Sequence, residues 1–93
     1  MDITITHNVA AQRFESHPGG HLAVCSYRRD GRVLVLHHTE VPVALAGQGV
    51  AAALVQAALD WARAEGLKVR ATCSYVAAYM RRHPDTQDLL AAP

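Results

Sequence analysis

The chain reads as an α+β domain: a mixed, mainly antiparallel sheet with helices packed on it. Three observations predict this. The first forty residues repeatedly alternate apolar and polar side chains, the period of strands. Val50 to Ala64 is rich in Ala, Leu and Val at helical spacing. A strand-like and then a helix-like segment follow it. The element order is therefore β-β-β-β-α-β-α, with antiparallel strands first and a βαβ crossover last. A helix on such a sheet makes a two-layer domain or a three-layer α/β one.

The elements follow in order. Ile3 and Ile5 alternate with Thr4 and Thr6, a first strand. Arg13-Phe14-Glu15 is a short second strand, ended by Pro18-Gly19-Gly20. From His21 to Tyr27, Leu22 and Val24 alternate with Ala23 and Cys25. Asp30-Gly31 then signals a hairpin with a type I′ turn. The return strand, Arg32 to His38, is apolar on both faces, which predicts a central strand covered on both sides. In the helix from Val50, the residues Val50, Leu54, Ala57 and Trp61 share one stripe, broadened by Ala51, Val55, Ala58 and Leu59; Gly66 is its stop. Leu67 to Thr72 alternates as a strand. Ser74 is placed to cap a helix from Tyr75 to Arg82, which Pro84 bars from continuing. Asp85 to Ala91 is a weaker last helix.

Composition narrows the function. The 93 residues suit one domain, spanning 1–93, with a single core and no need of staples. The formal net charge of +1 argues against nucleic-acid binding through bulk charge; the pair Arg28 and Arg29 reads as solvated surface. The two cysteines, Cys25 and Cys73, make no disulfide framework. No basic and apolar leader opens the chain, and no apolar run is long enough to span a membrane. The expectation is a cytoplasmic protein with reduced thiols. The six histidines show no metal-ligand spacing on any one element, so no metal is expected.

The informative stretch is VALAGQGVAAAL, residues 43–54. Glycine costs about 1 kcal/mol against alanine inside a helix, yet Gly47 and Gly49 stand where a helix begins. A helix N-terminus presents unpaired N–H groups and partial positive charge, and bare backbone ahead of it lets a phosphate approach closely. A strand-to-helix turn requiring positive φ is the other reading. The pattern is neither a dinucleotide fingerprint nor a P-loop. It has no third glycine, no acidic residue about 20 residues on, and no Lys-Ser or Lys-Thr.

Several stretches together resemble the short GNAT-type N-acetyltransferases, single-domain relatives that lack the superfamily's N-terminal helices. They are His38-Thr39-Glu40-Val41-Pro42, Ala46-Gly47-Gln48-Gly49-Val50-Ala51, Ala57-Ala58-Leu59-Asp60, Gly66-Leu67-Lys68-Val69 and Cys73-Ser74-Tyr75. The resemblance implies a reduced GNAT-like fold and use of acetyl-coenzyme A as co-substrate. It implies that backbone amides of Ala46, Gly47, Gln48, Gly49, Val50 and Ala51 hold the pyrophosphate, with Val41, Cys73 and Tyr79 also at the cofactor. Ala46 departs from the family pattern, which has a basic or amide side chain there.

Acetyl transfer to an amine needs a base for the amine proton and an acid for the leaving thiolate. Glu40, at the end of the central strand, is the candidate base; as a plain loop carboxylate it would do nothing. His37 and His38 are alternatives, and strand alternation should turn one to each side. By the resemblance Tyr79 is the candidate acid, with Tyr75 in reserve; a packed ring with its hydroxyl at the surface is the structural alternative. Cys73 lies between a strand end and a helix start, where a thiol pKa can be lowered. It could accept the acetyl group, line the cofactor channel, or fill space; Cys25 reads as core. The reading is an acetyl-coenzyme A-dependent N-acetyltransferase with an amine acceptor and a shallow acceptor side, completed by a second subunit or left open. A non-catalytic coenzyme A or acyl-coenzyme A binding module, or a ligand-free interaction domain, are the alternatives.

Overall fold

A computed structural model of the chain describes residues 3–92. The elements are β1 (Thr6–Asn8), β2 (Arg13–Ser16), β3 (Ala23–Asp30), β4 (Val33–Glu40), α1 (Val50–Ala64), β5 (Lys68–Ala71) and α2 (Ser74–Arg82), with short 3-10 turns between some of them. One five-stranded sheet runs in chain order. The first four strands are antiparallel, and β5 joins β4 in parallel through the α1 crossover. Leu34, Val35 and Leu36 on β4 are fully buried, as expected of a central strand.

Helix α1 has the bounds its composition predicts. Its core stripe is Val50, Leu54, Val55, Ala58, Leu59 and Ala62, with Ala57 and Trp61 on its flank. Full burial of a Leu or Val contributes about 1.5–3 kcal/mol, so this stripe is a main source of stability. The helix ends in a Schellman motif: Leu67 N–H donates to Ala62 O at 2.8 Å and Gly66 N–H to Arg63 O at 3.2 Å. Helix α2 packs on the same face. Val76, Tyr79 and Met80 enter the cluster formed by α1 and the sheet, and the Tyr79 hydroxyl donates to Gln56 Oε1 on α1. The helices thus make one layer on one sheet face.

Five local expectations are corrected. Ile3 and Ile5 lie ahead of β1 and pack against the core rather than forming the strand. The hairpin pairs Asp30 with Val33, so the two turn residues are Gly31 and Arg32, and only Gly31 has positive φ. That is the pattern of a II′ turn, not I′. Ser74 is the first helical residue of α2 rather than its cap; Cys73 occupies the cap position with no side-chain cap bond. Asp85 to Ala91 is not an α-helix. It is a 3-10 segment, Pro84–Leu89, after which Leu90 bridges Val69 in parallel and Ala91 N–H donates to Val69 O at 2.8 Å. This covers the outer edge of β5, which would otherwise offer unpaired backbone groups. The strict alternation expected through His37 and His38 is interrupted by a register shift in β4.

At the other edge, β1 is held by aromatic contacts. The His7 ring stacks on Phe14 at 4.1 Å, meets Trp61 edge-on at 4.6 Å, and its Nε2 lies 2.7 Å from the Tyr27 hydroxyl. Burial lowers the His7 pKa and raises that of Tyr27. Both shifts favour the neutral pair, which shares one hydrogen bond between ring nitrogen and phenol.

Candidate active site

The site begins with an irregularity in β4. Ser26 pairs with His38, but Tyr27 pairs with Leu36, so His37 is an extra residue, a β-bulge. Both His37 and His38 are exposed, and the bulge breaks the regular alternation on which the expectation of one histidine to each side rested. The parallel pairing with β5 also stops here, at Leu36 with Ala71. The Leu36 carbonyl accepts from both Thr72 N–H at 3.1 Å and Cys73 N–H at 3.2 Å. Beyond it, β4 runs on beside β3 to Glu40 while the chain after β5 turns into α2. The two segments stay in contact just beyond the paired stretch, where Cys73 meets Thr39.

The loop from Val41 follows β4 and leads into α1. Val43–Leu45 makes one 3-10 turn, anchored by the buried Leu45. Gly47 and Gly49 have φ of +75° and +81°, and a Cβ built on either would meet nothing within 4 Å. The glycines therefore satisfy the turn requirement and also face open space. Ala53 N–H, bonded to Gly49 O at 3.0 Å, is the first regular helix bond; the amides of Val50, Ala51 and Ala52 precede it and no side chain caps them. A cavity of about 280 Å³ sits at this uncapped start. Its walls are Val41 and Leu45, the loop residues Ala46, Gly47 and Gly49, the first α1 turn Val50 to Ala52, and Tyr75 from α2.

The structure thus brings Val41, Ala46, Gly47, Gly49, Val50 and Ala51 around one cavity. Gln48 is exposed, with its Nε2 donating to Ala44 O at 3.3 Å, and is not part of the wall. Tyr79 is buried on the α1 side, bonded to Gln56 and stacked on His83 at 3.9 Å. Burial, followed by the nearby Tyr75, Asp60 and Asp85, raises its pKa. It is Tyr75, one helical turn earlier, that reaches the cavity. Glu40 is exposed, and its Oε1 is 4.0 Å from His38 Nε2.

Cys73 is part-buried. Its Sγ lies 3.6 Å from Thr39 Oγ1, and Thr39 Oγ1 lies 4.0 Å from Cys25 Sγ. Burial pushes the Cys73 thiol up. The nearby Val76 amide, the Thr39 side chain and the Tyr75 and Thr39 backbone favour the thiolate and outweigh burial, so the net pKa is lowered. Cys25 has the opposite fate: burial pushes it up to about 11. Thr39, Leu45 and Ala52 were not singled out by sequence reasoning. A lone threonine in His38-Thr39-Glu40 carries no signal until strand register sets it against Cys25.

A mixed sheet with one parallel pair and an uncapped, glycine-led helix start is the arrangement that the resemblance to the acetyltransferases implies. The chain belongs to the GCN5-related N-acetyl-transferase family, whose sequence profile matches residues 13–89. It is similar to Protein NATD1 of Mus musculus, 38% identical over 90 residues that cover 94% of this chain and 82% of that one. With Protein NATD1 of Gallus gallus it is 44% identical over 68 residues, 72% of this chain and 62% of that one. The solution structure of a GCN5-like protein from Staphylococcus aureus superimposes with a TM-score of 0.77 at 28% identity, covering 98% of this chain and 90% of that one. Family membership ties the chain to acetyl transfer as a class of chemistry.

Proposed function

We propose that this protein is an acetyl-coenzyme A-dependent N-acetyltransferase acting on a primary amine of a small molecule or a protein. The observation that carries the reading is the cavity at the start of α1, where uncapped amides meet two positive-φ glycines with free space above them. That arrangement fits a diphosphate. When bound, acetyl-coenzyme A would supply an activated thioester. The amides of Val50, Ala51 and Ala52, with the bare backbone at Gly47 and Gly49, would hold its phosphates, and Val41 and Tyr75 would flank its pantetheine arm.

Glu40 would take the amine proton onto its carboxylate, directly or through a water; its exposure leaves it reachable by an acceptor approaching from solvent. Tyr75 or Tyr79 would donate the phenolic proton to the leaving sulfur. Tyr75 has the cavity position, and Tyr79 would first have to leave Gln56. Cys73, with its thiol favoured toward ionisation, would accept the acetyl group or contact the thiol end of the donor. No metal enters this scheme. The compartment consistent with two free thiols is the cytoplasm.

A second reading, a non-catalytic coenzyme A-binding module, is favoured by Ala46, which puts a methyl group on the cavity wall where the family carries a basic or amide side chain. Calorimetry with coenzyme A and acetyl-coenzyme A, paired with turnover on a panel of amines, separates the two. Binding with acetyl transfer supports the enzyme. Tight binding with no transfer and no self-labelling supports the module. No binding at millimolar concentration overturns both.

A further inference from the structure

We propose that Thr39 and the buried Cys25 form a hydrogen-bond relay that sets the reactivity of Cys73 toward soft electrophiles. The inference goes beyond the acyl-transfer reading and does not depend on it. Strand register places Cys25 directly opposite Thr39 on β3 and β4. The chain after β5 then delivers Cys73 to the same hydroxyl. Thr39 Oγ1 consequently reaches two sulfurs, 4.0 Å from one and 3.6 Å from the other.

A hydroxyl has one proton to donate and lone pairs to accept. While Cys73 is a thiol, its S–H donates to Thr39 Oγ1 and the Thr39 O–H points at Cys25 Sγ. When Cys73 loses its proton to solvent, the hydroxyl turns, and its O–H points at the Cys73 sulfur. The Cys25 S–H is then free to donate to Thr39 Oγ1. Cys25 suits this role because it is fully buried on the core side and stays protonated across the physiological range. Each sulfur and the oxygen keep a partner in both states, so ionising Cys73 strands no polar group.

Cys25, from β3, interacts electrostatically with Cys73, and from α2 it is the Tyr75 backbone that approaches the sulfur. On β4, His37, His38 and Glu40 are exposed, and His38 lies 4.0 Å from Glu40. The amides of Tyr75 and Val76 complete the surroundings of the sulfur. Thr39 and Cys25 are positioning residues in this scheme. The reacting atom is Cys73 Sγ, which is part-exposed.

The test is alkylation of the full chain by iodoacetamide between about pH 6 and 10.5, with Cys73 modification read by peptide mass. The thiolate forms the S–C bond and iodide leaves. Thr39→Val, close in shape but without the hydroxyl, should move the midpoint up by about half a unit to one unit and slow alkylation at pH 7 by roughly threefold to tenfold. Its plateau rate at high pH should match the parent, since access is unchanged. Thr39→Ser should restore the parent midpoint, and Cys25→Ala should shift it in the same direction as Thr39→Val but by less. An unchanged midpoint in folded Thr39→Val overturns the relay. An unchanged midpoint in folded Cys25→Ala removes Cys25 from it. Should Thr39→Val unfold, a Thr39→Ser profile displaced as far as that of Thr39→Ala overturns it as well.

Discussion

Replacing Gly49 by alanine separates what the glycine does for the fold from what it does for a ligand. Gly49 holds φ at +81° at the start of α1, and an added Cβ meets nothing within 4 Å. The cost is therefore backbone strain alone, about 1–2 kcal/mol for an L residue in the left-handed region. In a domain of this size each kcal/mol lowers Tm by about 4–8 °C, so Tm should fall by roughly 4–16 °C. Gly31→Ala is the matched control, with φ of +60° and equally open space. It lies at the opposite end of β4, whose eight residues span roughly 26 Å. Both variants should lose similar stability in thermal denaturation. In calorimetry with coenzyme A, only Gly49→Ala should lose affinity, by about tenfold or more, because its methyl stands in the cavity mouth; that is about 1.4 kcal/mol of binding. Equal affinities in the two variants would refute the assignment of this loop as the phosphate cradle.

Leu34→Ala, at a fully buried position of the central strand, should cost about 2–5 kcal/mol, read by urea denaturation. Tyr79→Phe should cost about 1 kcal/mol through loss of the hydrogen bond to Gln56, while Tyr75→Phe should leave stability unchanged and affect turnover with an amine the more. For His7, burial holds the folded pKa below the unfolded value of 6.5, so the fold excludes a proton that the unfolded chain takes up. This contribution is fully present above the unfolded value and is lost as pH falls through it toward the folded one. Tm should drop between about pH 7.5 and 5.5 in the parent, and the slope should flatten in His7→Gln.

The parts of this fold that were legible in sequence are those governed by local periodicity. Val50 to Ala64 could be bounded because its apolar stripe and Gly66 are adjacent in the chain. The central place of β4 followed from Leu34, Val35 and Leu36 being apolar on both faces. The residues that the resemblance assigns to the cofactor include Val41, Ala46, Gly47 and Gly49 to Ala51, which lie around one cavity. What stayed hidden depends on pairing across the sheet. The bulge at His37 is set by how β3 and β4 align, which no single strand encodes. The exchange of places between Tyr75 and Tyr79 depends on α2 rotating until Tyr79 finds Gln56. The cap position of α2 fell to Cys73 because Leu36 O takes both the Thr72 and Cys73 amides, starting the helix one residue before Tyr75.

The single tryptophan of the chain stands beside His7 at 4.6 Å, with Tyr27 and Phe14 completing its surroundings. Its emission is therefore an internal gauge of whether the first strand is seated. A protonated imidazole quenches indole light, and an undocked strand exposes it to water, so acid should change the spectrum before circular dichroism changes. The edge of the sheet farthest from the cavity loop can in this way be watched on its own, without a label and without unfolding the rest.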